Sequence, residues 1–491
     1  MTVNNRQHND KDVLILGAGL AGLTAADVLS AANQSVTVIE AAADVGGLAR
    51  TIEHNGFRFD LGGHRFVTDN AGLERYVRKL LGEDCLCVSR SSKILLAGRY
   101  FDYPLRPLNA ISGFGVVMTV SILFDYLRQR LVSRFIKTQP LSLKDWVISH
   151  FGRTLFDIYF RDYSEKVWGI DCQRIDMSWM QQRVQGLSLA KAIKHSLLAS
   201  RRRQLATLSN RFLYPRWGIG QIADKLTAKI RQSNSVHTGM RVLKLNHSNL
   251  IINNVEVQQA GQKKCLSGDS FISSIPLPAL VRAMNPSPPA KVVAAASQLG
   301  SRDLLTVTLM LNCAKVTDQS WIYLPEKKIA FGRLHEPSNW SACLSPEGKT
   351  HLVLEYFCTR GDSIWNASDK SLTDSSIDQL VTLGLIKCDM VFDSLVTRIA
   401  NAYPLFEVGY QQHCQTIYDY LDQFSNLYTA GRSGMFRYYN MDHAMMAGID
   451  AAEKIMQTPA PVAACRTDDV LNTQTLTTET RSAVLAKALE L

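Results

Sequence analysis

Long apolar runs are missing from this chain of 491 residues. No stretch reaches the ~18 uncharged apolar residues that a membrane-spanning helix requires. Residues 110–124 come nearest, and Arg128, Arg130, Arg134 and Lys137 follow them. That segment reads as a buried helix running into a basic amphipathic one, in preference to a membrane-docking one. Cysteine is present but unpaired in pattern: ten residues are scattered, and only Cys85 and Cys87 lie close together. The absence of C-x-x-C pairs and of His/Cys metal spacing argues against a metal site. With no leader-like segment before the first strand, free thiols point to a reducing cytoplasm. The longest basic run is Arg201-Arg-Arg203, and no nucleic-acid motif occurs, so nucleic acid is not the expected partner. Internal repeats are also absent. The oligomeric state is not legible.

What is present is an excess of base over acid, giving a net charge of +10 and a pI near 9.0. That balance suits an anionic ligand, a membrane surface, or nothing specific. The apolar fraction of 46% allows a large core, and the length calls for more than one domain.

The chemistry-bearing pattern begins at Asp12-Val-Leu-Ile-Leu16, followed by Gly17-Ala-Gly19-Leu20-Ala21-Gly22 and by Ser35-Val-Thr-Val-Ile-Glu40. It reads as strand, glycine turn, helix and a second strand ending in an acid, the dinucleotide-binding fingerprint. Gly17 permits the turn, Gly19 lets backbone approach a diphosphate, and Gly22 lets helix pack on strand. The diphosphate is expected on the helix N-terminus, where free N–H groups favour an anion. Glu40 stands where a ribose hydroxyl acceptor belongs. Val45-Gly46-Gly47-Leu48-Ala-Arg50 and Asp60-Leu-Gly62-Gly63-His64 come next and favour FAD over NAD.

These segments resemble the FAD-binding amine-oxidase superfamily, which includes protoporphyrinogen-oxidase-like proteins. In that superfamily Gly46, Gly47, Leu48 and Arg50 would lie along the flavin diphosphate. Gly62, Gly63, Gly431, Arg432 and Asp442 would also line the cofactor. The expected class is α/β, a discontinuous Rossmann-like FAD-binding domain with an inserted α+β substrate domain. The FAD domain is expected from residues 12–75, 206–280 and 400–458. Residues 76–205 should be mostly helical, residues 281–399 strand-rich, and residues 459–491 a loose tail.

Further segments narrow the resemblance: Tyr163-Ser-Glu-Lys-Val-Trp168-Gly169, Trp179-Met-Gln-Gln-Arg183, Trp321-Ile-Tyr323, Phe331-Gly-Arg333, Ala402-Tyr403-Pro404 and the run from Gly431 to His443. Together they resemble the UDP-galactopyranose mutases over about residues 12–456. The resemblance implies that His64 lies beside the flavin and that Trp168 and Arg183 meet substrate. Tyr323, Tyr403 and Tyr438 would bond the UDP diphosphate, Asn440 would help hold it, and Arg333 and Arg432 would neutralise it. Two planar guanidinium forks suit a diphosphate better than lysines would. The implied reaction interconverts pyranose and furanose rings of a nucleotide sugar, for cell-surface polysaccharide. Reduced FAD would supply its N5 toward the anomeric carbon without net redox change, with NADPH or NADH as a candidate reductant. Taken alone, each element has a plainer reading: Trp168 as core, Arg183 as helix surface, Tyr403-Pro404 as a turn, Asp442 as a cap. Two other functions stay open: an FAD-dependent oxidase or dehydrogenase acting on an amine or apolar ring, and a flavin-bearing assembly protein without chemistry.

Overall fold

The computed structural model describes residues 11–103, 113–135, 140–179 and 211–457. The strand Asp12–Leu16 is apolar on both faces, as a central parallel strand must be, and every residue after Asp12 is buried. Five parallel strands form its sheet, in the order Leu427–Thr429, Ser270–Ser273, Asp12–Leu16, Ser35–Ile39 and Ser235–His237. Strands Ser270–Ser273 and Leu427–Thr429, far along the chain, therefore return to the sheet begun at residue 12. Helix Leu20–Ala31 lies over it, buried from Leu20 to Leu29. Helix Met441–Gln457 packs on this helix so closely that a side chain at Gly448 would strike the Ala21 carbonyl. Small residues in both helices make that approach feasible.

A second sheet has seven strands, ordered Val391–Pro404, Ser301–Leu311, Thr350–Cys358, Arg333–His335, Trp321–Tyr323, Ser92–Leu96 and Arg99–Asp102. Pairing is antiparallel except between Trp321–Tyr323 and Ser92–Leu96. Helix Asp369–Thr382 covers one face, with Leu372 and Leu380 against Leu305, Val307 and Leu309. The hairpin of Thr51–His54 and Phe57–Asp60 covers the other, where Phe57 and Phe59 meet Met310 and Val353. The chain leaving that hairpin at Asp60 is thus delivered to the strands that carry Arg333 and Glu355, where the Gly63 N–H donates to Glu355.

Three expectations need correction. Beyond helix Ala71–Leu81, the stretch expected to be mostly helical first makes the strands Cys85–Ser89, Ser92–Leu96 and Arg99–Asp102. Ala97 and Gly98, both at positive φ, form the tight turn between the last two, which the apolar content of the segment obscured. The long strand Val391–Pro404 also runs through residue 400, where a domain boundary was expected.

The apolar stretch at 110–124 is the third correction. Residues 110–112 lie outside the described residues, but helix Val116–Phe135 is exposed rather than buried. It turns Ile122 and Tyr126 toward the protein, and Asp125 anchors it by accepting the Thr154 N–H at 2.7 Å. The more apolar side of the helix consequently faces outward. The expected tail at 459–491 lies outside the described residues.

Candidate flavin and substrate site

The glycine turn is built as its spacing demands. Gly17 takes a φ of +106°, and a side chain there would hit Ser274. A side chain at Gly22 would hit the Gly17 carbonyl, whereas one at Gly19 would meet only open space. Gly19 is the N-cap of helix Leu20–Ala31 and offers no side-chain cap to its first N–H groups. That combination is an anion cradle. Gly46 and Gly47 close over it: the Gly46 N–H donates to the Ala18 carbonyl at 2.7 Å, and Gly47 packs on the Gly19 Cα. Leu48 turns into a small cluster with Leu61, Leu304 and Phe357. Arg50 donates from Nε to the Gly47 carbonyl at 2.9 Å. The Glu40 carboxylate accepts N–H groups from Ala18 at 2.9 Å and Ala42 at 2.8 Å, and so ties the second strand to the turn.

Gly431, at a φ of +81°, packs against Ala21 and carries the chain past the same helix end. Asp442 lies buried in the first turn of helix Met441–Gln457, where burial raises its carboxyl above the usual range despite His443 nearby. The open helix terminus, the side-chain-free approach at Gly19 and the neighbouring Gly46-Gly47 turn fit an FAD diphosphate.

Two distant segments, around Asp60 and around Tyr214, lock together behind the cofactor cradle. Asp60 is buried and accepts from Tyr214 at 2.6 Å, from Thr51 at 2.7 Å and from the Ile219 N–H at 3.0 Å. Burial nevertheless pushes its carboxyl up to about 6. This fixes the start of Gly62-Gly63-His64. A side chain at Gly63 would collide with the Trp321 indole nitrogen.

The substrate side is organised by cross-strand register. Tyr323 pairs with Arg333, and Arg333 with Glu355, so the three lie abreast on adjoining strands. The Arg333 guanidinium reaches the Glu355 carboxylate at 2.5 Å and the Tyr403 phenol at 2.8 Å, and lies over Phe357 at 5.0 Å. Glu355 also accepts the Gly63 N–H at 3.0 Å and approaches His335 at 3.6 Å. Burial alone would raise that carboxyl; Arg333, His335 and the Gly63 N–H outweigh it and hold it at about 2. His64 bonds the Gly62 carbonyl at 3.1 Å, and burial, aided by Arg432 and Arg333, lowers its imidazole to about 4. It is neutral at neutral pH.

Arg432 stands over the Tyr403 ring at 4.8 Å and the Tyr438 ring at 5.2 Å. Its Nε and Nη2 are buried with no hydrogen-bond partner among the described residues, and the same holds for Arg333 Nε. Tyr323 meets Tyr103 at 4.8 Å and Tyr163 at 5.9 Å. Trp168 is fully buried against Trp179, Tyr403 and Phe406, with its indole N–H unpartnered, and is a core residue beneath the aromatic wall. Asn440 is exposed, and its carbonyl accepts the Ala444 N–H at the start of the last helix. Arg183 lies outside the described residues.

Sequence reasoning missed Glu355, His335 and Lys166. Glu355 is a lone acid in the otherwise apolar run Leu352-Val-Leu-Glu-Tyr-Phe357, a pattern that signals a buried, partnered carboxylate. The Lys166 ammonium donates to the carbonyls of Glu326, Leu324 and Ile329 at 2.6–2.8 Å, and burial lowers it to about 8. It staples the loop that joins Tyr323 to Arg333.

Among solved structures, reduced UDP-galactopyranose mutase is similar over 91% of this chain and 98% of its own, at 21% identity and a TM-score of 0.78. Cyclohexylamine oxidase from Brevibacterium oxydans IH-35A aligns over 91% of this chain and 99% of its own, at 14% identity and a TM-score of 0.65. Both likenesses concern the fold. L-amino acid oxidase Cdc18 from Crotalus durissus cumanensis is 45% identical over 71 residues, and the match spans only 14% of either chain. The model of the flavin containing amine oxidoreductase family matches residues 20–456. Glycine cradle, parallel sheet and family match agree: the chain belongs to the flavin containing amine oxidoreductases and is an FAD-dependent enzyme.

Proposed function

We propose that the protein interconverts the pyranose and furanose forms of a nucleotide sugar, as a step toward cell-surface polysaccharide. The observation that carries this reading is the excess of buried positive charge beside His64. Two guanidinium groups, Arg333 and Arg432, flank Tyr403, while Glu355 is the carboxylate in ion-pair contact with Arg333. Buried guanidinium N–H groups left without partners are costly, and a diphosphate satisfies them.

In this reading Gly19, Gly46, Gly47, Arg50 and Arg432 hold FAD together with the N-terminus of helix Leu20–Ala31. Bound and reduced, FAD supplies a nucleophilic nitrogen. Arg333 and Arg432 clamp the leaving diphosphate, and Tyr403, Tyr323 and Tyr438 direct hydrogen bonds to it without adding charge. Neutral His64 keeps the cation count at two and leaves its ring available as a hydrogen-bond partner beside the flavin. Trp168, Trp179 and Phe406 form a dry backing that keeps Tyr403 in place. The test is anaerobic conversion of UDP-galactofuranose by the reduced enzyme, with oxidised enzyme as control.

The aromatic wall and the family match favour a second reading, oxidation of an amine or apolar ring. It expects turnover of oxidised flavin with an electron acceptor and no response of the flavin spectrum to UDP.

A further inference from the structure

Helix Val116–Phe135 presents the wrong face to solvent for a globular protein. Val117, Val120, Phe124, Leu127, Leu131 and Phe135 recur every three or four residues and make one stripe along its length. Each of them is between 57% and 87% exposed. The opposite side, with Ile122 and buried Tyr126, is the one packed on the protein. At 1.5 Å per residue the stripe is about 30 Å long, far beyond an isolated surface leucine.

Charge decides what covers it. At 3.6 residues per turn Arg128 and Arg130 fall on either margin of the stripe, and both are exposed. Arg130 also donates to the Tyr126 phenol at 3.0 Å. The helix holds one acid, Asp125, whose side chain is only 16% exposed; one oxygen accepts the Thr154 N–H and the other stands 4.0 Å from Arg128, whose own side chain is 71% exposed. A second copy of the chain docked two-fold on this stripe would bring arginines toward arginines with no acid between them. Lipid phosphates are anions that the exposed guanidinium groups at the margins can meet, and acyl chains accept the apolar stripe. The chain's net charge of +10 has the same sign preference.

We propose that helix Val116–Phe135 is an interfacial anchor that lies in the headgroup region of an anionic bilayer without crossing it. No described helix is long and apolar enough to span. The enzyme would then work at a membrane surface while its cofactor cradle, built on other elements, stays in water.

The experiment is vesicle flotation of the full flavin-loaded chain. Mixed phosphatidylcholine–phosphatidylglycerol vesicles are compared with phosphatidylcholine alone. The variants are Phe124→Ser/Leu127→Ser/Leu131→Ser and Arg128→Gln, at exposed positions, with flavin content and circular dichroism confirming that each folds. Expected is binding that prefers the anionic vesicles, falls at least about a hundredfold in the triple variant and roughly fivefold in Arg128→Gln. No binding of the unaltered chain, equal binding to both vesicle types, or equal binding by the triple variant overturns the proposal. So does an unaltered chain that ignores vesicles and is a dimer which the triple variant dissolves, since a second copy would then be the occupant.

Discussion

Arg333 and Glu355 stand opposite each other on neighbouring antiparallel strands, their charged groups 2.5 Å apart and the carboxylate wholly buried. The pair links the two halves of the site, because the same carboxylate accepts the Gly63 N–H ahead of His64. Removing one partner of such a pair strands the other charge, which typically costs about 3–5 kcal/mol. Glu355→Gln is expected to lower stability by about 3 kcal/mol at neutral pH, read by urea denaturation.

The pH dependence of that loss has a definite sign. Glu355 is held at about 2 against an ordinary 4.5, so its contribution is complete above pH 4.5 and is lost as pH falls toward 2. Unaltered protein should lose stability across that window faster than Glu355→Gln does. Parallel slopes for the two would remove Glu355 from the account.

Asp60 works in the opposite direction. Its carboxyl is raised to about 6 from 3.8, so the stability it contributes is complete below 3.8 and declines as pH rises through 6. Asp60→Asn keeps one oxygen to accept from Thr51 and the Ile219 N–H, and its amide NH2 can donate to the Tyr214 oxygen. It should flatten the stability profile between those pH values while retaining flavin. A steeper profile in the variant would contradict the assignment.

His64 is expected to titrate near 4, not in the range of a free imidazole. Carbon-13 labelled histidine, with His64→Asn to assign the signal, reads this directly. A His64 midpoint between pH 6 and 7 would contradict the lowering by burial and leave a sizeable charged fraction beside the flavin near neutral pH.

Lys166 tests positioning apart from contact with substrate. Lys166→Met leaves the carbonyls of Leu324, Glu326 and Ile329 without their donor and frees the Tyr323–Arg333 loop. A loss of about 2–3 kcal/mol in stability is expected, with a weaker UDP response and unchanged flavin content. Full flavin content with an undiminished UDP response would remove Lys166 from the positioning of Tyr323 and Arg333.

How far the sequence reached follows from the range of each signal. Gly17, Gly19, Gly22 and Glu40 were legible because a strand–turn–helix cradle is local and its glycines answer steric needs within one βαβ unit. Arg333, Tyr403 and Arg432 came from ordered motifs of a resemblance, and register brings them together from three distant strands and turns. Glu355 was invisible because its partners lie 22 and 292 residues away, at Arg333 and Gly63. The 110–124 segment misled because hydrophobicity predicts that a face is covered, not by what. Trp168 is wholly buried among Trp179, Tyr403 and Phe406, a position that spacing along the chain does not reveal.

The central claim is that two arginines hold a diphosphate so that a sugar ring can be exchanged. The most direct measurement reduces the flavin-loaded protein anaerobically with dithionite, adds UDP-galactofuranose and separates the products by chromatography. The account predicts UDP-galactopyranose from the reduced enzyme alone, with conversion lost in Arg333→Ala/Arg432→Ala. No conversion and no change of the flavin spectrum on adding UDP would contradict it and leave the oxidase reading in its place.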